Sequence, residues 1–484
     1  MGENWQEEYF IWDCAAGTGN LLAGLTNKYN IYASTLDQAD VSVIHERIEH
    51  GANLVKNHVF QFDFLNDEFS KLPQSLQDII NDENKRKKLV IYINPPYAEG
   101  DNVRGIGRKD VHVSKIHSKY QKIMGKASSE MFAQFFTRIY KEIPNSVLAE
   151  FSTLKILQAP NYSDFRNFFR AKLEKFFVVP ADTFDNVKGD FPIGCFVWDT
   201  SKNEIFEKTT ADVYDKKGNF IGTKGITNYD NSKYISNWLE VNSKNISNKY
   251  IGHLASVGND FQNQRMIFVD NEEKENWKKG GRHTRISAEN LICASIYFAV
   301  RKVIPATWLN DRDQFLFPLE NWKTDTEFQN DCLTYTIFNT NVQSRFGINH
   351  WIPFKENEVN AKEKFASNFM TDYINGKLKT NNSTNLFDNK TAEDKPLQFS
   401  NEAKSVFNAG RELWLYYNSY NSTIPNASLY DIREFFQGRN EQGRMNAKSD
   451  DKKYTELIGE LRNNLNLLAD KLKPKVYEYE FLRE

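Results

Sequence analysis

The sequence predicts an α/β protein built on a twisted, mostly parallel sheet, followed by a second region of mixed α+β and helical character. Three observations carry this reading. Short apolar runs rich in β-branched and aromatic residues stand at Tyr9–Trp12, Ile31–Leu36, Val59–Phe62 and Val90–Ile93. Each run is followed at once by a polar residue: Asp13, Asp37, Asp63 and Asn94 in turn. A glycine turn comes directly after the first run, and strand, glycine turn, helix is the geometry that presents backbone to a nucleotide-like ligand.

Composition sets the bounds. At 484 residues the chain is too long for one compact core, so two or three domains are expected. Apolar residues make up 40% and aromatics 14%, which supports real cores. A net charge of −2 gives no global attraction to a polyanion, so any basic groove must be local. Cys14, Cys195, Cys293 and Cys332 are too widely spaced for a disulfide framework or a zinc pattern, and no metal is expected. No apolar run reaches membrane-spanning length, and a soluble, cytoplasmic protein is the expectation.

In chain order, the first strand runs into Asp13-Cys14-Ala15-Ala16-Gly17-Thr18-Gly19-Asn20, with a helix signal from Leu21 to Leu25. Gly17 and Gly19 allow a tight turn and a close ligand approach. The Gly-x-Gly spacing lacks the third glycine of a dinucleotide fingerprint and the Gly-Lys-Ser/Thr of a phosphate-binding loop. Asp37, about 20 residues after the glycine turn, is placed to accept from ribose hydroxyls. Asp63 is placed to accept from an adenine amino group. Any one acid after a strand is more often a helix N-cap. Four polar strand ends in order, with the glycine turn first, point instead to a ligand-binding edge.

The fourth strand leads into Asn94-Pro95-Pro96-Tyr97. Each proline fixes its own φ and holds the preceding residue extended. The Asn94 amide and neighbouring carbonyls therefore form a fixed fan into which a planar amino group could donate two hydrogen bonds. Tyr97 offers a stacking face beside it.

The order Asp-x-x-x-Gly-x-Gly-Asn, acid, acid, Asn-Pro-Pro-Tyr resembles the S-adenosylmethionine-dependent DNA adenine-N6 methyltransferases of restriction-modification systems, over residues 9 to about 200. The resemblance implies a Rossmann-like sheet of seven strands, the last three at 146–151, 176–179 and 193–198. It implies that Asp13, Ala15, Gly17, Gly19, Asn20, Asp37, Asp63 and Asn94 hold S-adenosyl-L-methionine. Catalysis would fall to Asn94, Pro95, Pro96 and Tyr97, with Phe191 as a second aromatic stacking on a flipped adenine and Phe196 as the fallback. Double-stranded DNA is the implied substrate; the alternative is a modification subunit that requires a separate specificity subunit, and a restriction subunit is a further partner to test. Related enzymes that methylate a glutamine amide on protein release factors share the Asn-Pro-Pro-Tyr element, but a long basic loop and a large second half suit DNA better. The family also places a helix and loop ahead of the glycine turn. Only twelve residues precede Asp13 in this sequence, so the expectation is either a truncated sequence or a pocket wall supplied by another part of the chain or a partner.

Beyond Tyr97 runs a cation-rich stretch with Arg104, Arg108, Lys109, Lys115 and Lys119. It reads either as solvated surface or, leaving straight from the catalytic turn, as a path for a phosphate backbone. Phe132, Phe135, Phe136 and Ile139 then mark one face of a helix. The expected domains are a catalytic domain over 1–200, a DNA-recognition or accessory domain over 201–377, a linker or exposed loop over 378–396 and a mainly helical region over 397–484. Lys278 to Arg285 is a basic cluster that reads as solvated loop or phosphate contact, and Asp260 with Glu272 and Glu273 only loosely resembles a nuclease metal site. Near the end, Leu457, Leu461, Leu465, Leu468 and Leu472 recur at helical spacing, and Pro474 is expected to stop that helix.

Overall fold

The computed structural model describes residues 4–96, 113–184, 187, 189–230, 232–272, 283–378 and 395–483. The chain divides into two compact units. The first comprises Met1–Asn231 with Thr307–Arg312, and the second Ser232–Ala306 with Asp313–Arg483.

The first unit carries a nine-stranded sheet among its described residues. Its strands are β1 (Phe10–Asp13), β2 (Ile31–Thr35), β3 (Val59–Gln61), β4 (Leu89–Ile93), β5 (Val147–Thr153), β6 (Lys172–Pro180), β7 (Pro192–Asp199), β8 (Lys208–Tyr214) and β9 (Phe220–Thr227). Their order is β3-β2-β1-β4-β5-β7-β6-β8-β9. Strands β1 to β5 pair in parallel, while β7 runs antiparallel between β5 and β6. All seven expected strands form, but the count of seven is corrected to nine. β8 adds in parallel to β6 and β9 closes a hairpin on β8, covering an edge that β6 would otherwise leave unpaired. The first unit accordingly runs past the expected boundary at 200.

The central strands are near-continuous apolar runs because both faces are covered. On one face Trp12, Ile91, Leu148 and Phe196 pack with Phe132, Phe136 and Ile139 of helix Met131–Glu142. On the other, Ile11, Ile31 and Ala33 pack with Val41 and Ile44 of helix Gln38–Glu49. The helix expected over 21–25 is corrected to a single 3₁₀ turn, Asn20–Leu22. Gly24 takes φ +86°, in the left-handed region that ends a helix.

One acid is buried within this sheet. Glu150 of β5 is fully covered; its Oε1 accepts a 3.1 Å bond from Trp198 Nε1 while Oε2 has no hydrogen-bond partner. Burial pushes its carboxyl up to about 8. A raised carboxyl contributes stability that is complete below its unfolded value near 4.5 and lost as pH rises through about 8. Glu150→Gln keeps the acceptor for Trp198 and cannot ionise. It is expected to raise the thermal midpoint relative to wild type at pH 9 and to leave it unchanged at pH 4, and parallel melts at the two pH values check this.

In the second unit, β10 (Gly252–Ser256) lies between β11 (Ile267–Asp270) and β12 (His283–Ile286), antiparallel to both. Helices Leu291–Val300, Thr326–Ile337, Asn401–Asn418 and Lys452–Glu478 share one core through residues such as Ile296, Leu333, Leu413, Leu461 and Leu468. The expected separation of 201–377 from 397–484 is therefore corrected, since both sides of the linker region fill the same core. Most of that linker, residues 379–394, lies outside the described residues. Pro474 does not stop the last helix, which continues to Glu478. Proline removes a single backbone bond there, and the buried Leu472 and Val476 on either side hold the helical path. Among the described residues no helix is long and apolar enough to cross a membrane.

Candidate active site

Because β1 to β4 pair in parallel, their C-terminal ends share one edge of the sheet. That edge carries Asp13, the Asp37 and Asp63 turns, and Asn94. β1 and β4 are direct neighbours, with Trp12 opposite Ile91, while the chain leaves β1 toward β2 on its other side. This is the point where strand order reverses, and in open α/β sheets ligands bind in the crevice there. β7 runs the other way, so its start falls on the same edge, with Ile193 opposite Thr153 at the end of β5. Phe191, which immediately precedes β7, is thereby brought to the edge that holds Asn94.

The turn after β1 is built by its own backbone. Asp13 is buried, and its Oδ1 accepts from the Ala15 N–H at 3.0 Å. Burial raises its carboxyl to about 7, against the opposing pull of the Ala15 N–H. Ala16 N–H donates to the Ser34 carbonyl (3.0 Å) and Gly19 N–H to the Ala16 carbonyl (2.8 Å). Gly17 and Gly19 have φ +50° and +81°, which only glycine adopts without strain. A Cβ on Gly17 would meet nothing within 4 Å, so the space over the turn is open. On Gly19 it would press on Ile44 at 3.3 Å. Asn20 is exposed, with its Oδ1 taken by Arg47 Nη1 at 2.6 Å.

The two acids that follow differ. Asp37 stands at the N-cap position of helix Gln38–Glu49, yet its side chain makes no capping bond and is exposed. The capping use expected of an acid after a strand is thus not taken up. Asp63 is turned inward: Oδ1 accepts from Leu65 N–H (3.0 Å) and Asn66 N–H (3.1 Å), and Oδ2 from Asn66 Nδ2 (2.8 Å). It first of all builds the turn after β3.

Asn94 is half-buried, Pro95 buried and Pro96 exposed. Tyr97 lies outside the described residues, as do Arg104, Arg108 and Lys109. Phe191 is half-buried against Val179, Ala181 and Ile193, and its carbonyl accepts from Ala181 N–H at 2.9 Å. The fallback Phe196 is corrected to a core residue, fully buried and stacked on Phe176 with centroids 4.5 Å apart. Of the remaining cations, Lys115 is exposed at the start of helix Lys115–Met124. Lys119 is bound to Glu142 at 2.7 Å, which raises its ammonium above the usual range and spends its charge.

Arg138 is a supporting residue that the sequence reading missed. Although on a surface-length helix, it is 3% exposed. Its Nε pairs with Glu142 at 2.9 Å, Nη2 donates to the Asp67 carbonyl at 2.8 Å and Nη1 to the Phe64 carbonyl. Its guanidinium lies over Phe69, 4.3 Å from the ring centroid. Arg138 thus pins the turn that contains Asp63. The signal is its place between Phe135 and Ile139 on the apolar stripe of the helix. Asp260, considered for a metal site, caps the turn at Asn263 instead, and no cluster suited to a metal occurs among the described residues.

No protein-family model and no curated protein matches the sequence. Among solved structures, similarity extends to the type I restriction enzyme EcoKI M protein, at 14% identity over 60% of this chain and 62% of that one, with a TM-score of 0.29. A type I restriction-modification methyltransferase subunit from Streptococcus thermophilus is similar at 16% identity over 46% of this chain and 45% of that one, with a TM-score of 0.30. The type IIG restriction endonuclease BpuSI is similar at 21% identity over 43% of this chain and 24% of that one, TM-score 0.30. The chain spans less than two thirds of the length of each of these proteins.

Proposed function

We propose that this protein is an S-adenosylmethionine-dependent DNA methyltransferase acting on adenine N6, the modification activity of a restriction-modification system. The observation that carries the reading is the pairing of the β1 glycine turn with the Asn94 turn on adjacent strands at the point where strand order reverses. The donor set fits the cofactor: Gly17 leaves open space over a turn of positive φ, and Asp37 offers an uncommitted carboxylate at the end of β2. The order of motifs, with its resemblance to DNA adenine methyltransferases, names the substrate.

S-adenosylmethionine supplies an electrophilic methyl group when bound. The protein's own residues prepare the acceptor. An adenine amine is a poor nucleophile because its lone pair is delocalised into the ring. The Asn94 side-chain oxygen and the Pro95 carbonyl accept its two hydrogens, drawing the nitrogen toward tetrahedral geometry and freeing that lone pair. The surplus proton passes to water, and no strong base is needed. Orientation supplies much of the remaining rate. A base inside a duplex cannot reach this edge, so it leaves the stack and is held against Phe191 and Tyr97.

Asp13 adds a pH dependence. The cofactor carries positive charge at its methionine end, and if held at the β1 turn that charge would favour the Asp13 carboxylate. Cofactor affinity is therefore expected to fall as pH drops below about 7, where Asp13 takes up its proton. Asp13→Asn should flatten that dependence, as measured by calorimetric titration with S-adenosylmethionine from pH 5.5 to 8.5. The function itself is tested by incubating the full chain with methyl-labelled S-adenosylmethionine and unmodified duplex DNA. Label is expected in the DNA fraction; label that appears only in protein would favour a protein substrate.

A further inference from the structure

An open cleft of about 610 Å³ lies within the second unit, between the segment 236–246 and strand β12. Its walls are tied together. Asn290, fully buried, donates through Nδ2 to Ser243 Oγ and to the Arg285 carbonyl, both at 3.0 Å. Glu289 Oε2 accepts from Ser247 Oγ (3.2 Å) on one wall and from Ser287 Oγ on the other. The cleft is thus a fixed feature of this unit rather than a gap between loops.

Its lining is rich in donors. Among the described lining residues, Ser236, Ser243 and Thr284 carry hydroxyls and Lys244 and Arg285 carry cationic nitrogens, against one carboxylate, Glu240. Arg285 is held in place. Its guanidinium stands 4.8 Å from the Tyr250 ring centroid and Nη1 donates to Tyr250 Oη at 3.0 Å, so other N–H donors stay available. Among the described residues, neither Lys244 nor Arg285 pairs with a carboxylate, in contrast to Lys119 on the first unit. In a chain of net charge −2, two exposed cations beside hydroxyl donors give the described lining of this cleft a local excess of positive charge.

We propose that this cleft binds the phosphodiester backbone of duplex DNA, with Lys244 and Arg285 each contacting a phosphate. The proposal rests on the reading of the protein as a DNA methyltransferase and gives its second unit a positioning contact. The test measures binding of a fluorescent duplex to the full chain by anisotropy over a NaCl series. Each phosphate contact contributes about 0.9 to the slope of log affinity against log salt. Lys244→Gln and Arg285→Gln are each expected to lower the slope by about 1, and the double variant by about 2, with affinity for S-adenosylmethionine unchanged. Both side chains are exposed, and Lys244→Gln alone serves if the Arg285 variant loosens its wall. A wild-type slope retained in the double variant overturns the proposal while leaving the methyltransferase reading intact. A slope lost on duplex RNA but not on DNA overturns it as well. Failure of the wild type to bind DNA at all would instead overturn the reading on which it rests.

Discussion

Asn94→Ala is expected to reduce methyl transfer to DNA by about 10²–10³ or more, the scale seen when one preorganised polar group at a reacting centre is removed. Cofactor affinity should change little. The reason lies in where the groups sit. The glycine turn, Asp13 and Asp37 follow or end β1 and β2, whereas Asn94 follows β4, where the proposed chemistry places the incoming base. Alanine retains the extended geometry that Pro95 imposes on its predecessor, so the strand and its buried Ile93 are undisturbed. The amine then loses one of two acceptors and its lone pair stays in the ring. Single-turnover transfer and calorimetric cofactor titration on the same preparation separate the two effects. Loss of cofactor binding together with activity would assign Asn94 to the cofactor instead.

Arg138→Met is expected to destabilise the first unit by roughly 3–5 kcal/mol, the cost of breaking a buried pair from one side. Methionine fills similar volume against Phe69 but donates nothing. The Phe64 and Asp67 carbonyls lose their donor, and Glu142 keeps only Lys119 and Tyr120. Because total stability is about 5–15 kcal/mol, the midpoint in urea should fall steeply. Arg138→Lys keeps the charge without the planar fork and should fall between. An unchanged midpoint in Arg138→Met would show that the turn bearing Asp63 is held by other means.

The residues that could be read in advance were those whose signal is local. β1, β2, β4 and β7 are apolar runs because both sheet faces are covered, and the polar residue closing each of the first four strand segments was visible by position. β8 and β9 gave a weaker signal because an edge hairpin is only half-buried; Phe220 and Ile221 remain more than half exposed. The helix after the glycine turn failed because Gly24 ends it, a conformation that a lone glycine does not announce. Whether an acid caps a turn or waits for a ligand depends on atoms distant in sequence. Asp37 and Asp63 look alike in the sequence, yet one is uncommitted and the other closes its own turn. Arg138 was hidden because an arginine on a helix is normally solvated, and only the turn after β3 makes its burial possible. The second unit blurred because its core joins segments over a hundred residues apart, as where Trp351 Nε1 donates to the Ile251 carbonyl.

The proposed function stands or falls with the chemistry at the Asn94 edge. The most direct measurement is mass spectrometry of nucleosides from unmodified duplex DNA incubated with the purified full chain and S-adenosylmethionine. N6-methyldeoxyadenosine is expected with the wild type and is absent when Asn94→Ala replaces it. N4-methyldeoxycytidine in its place, or no methylated nucleoside with and without added partner subunits, would contradict the proposed function.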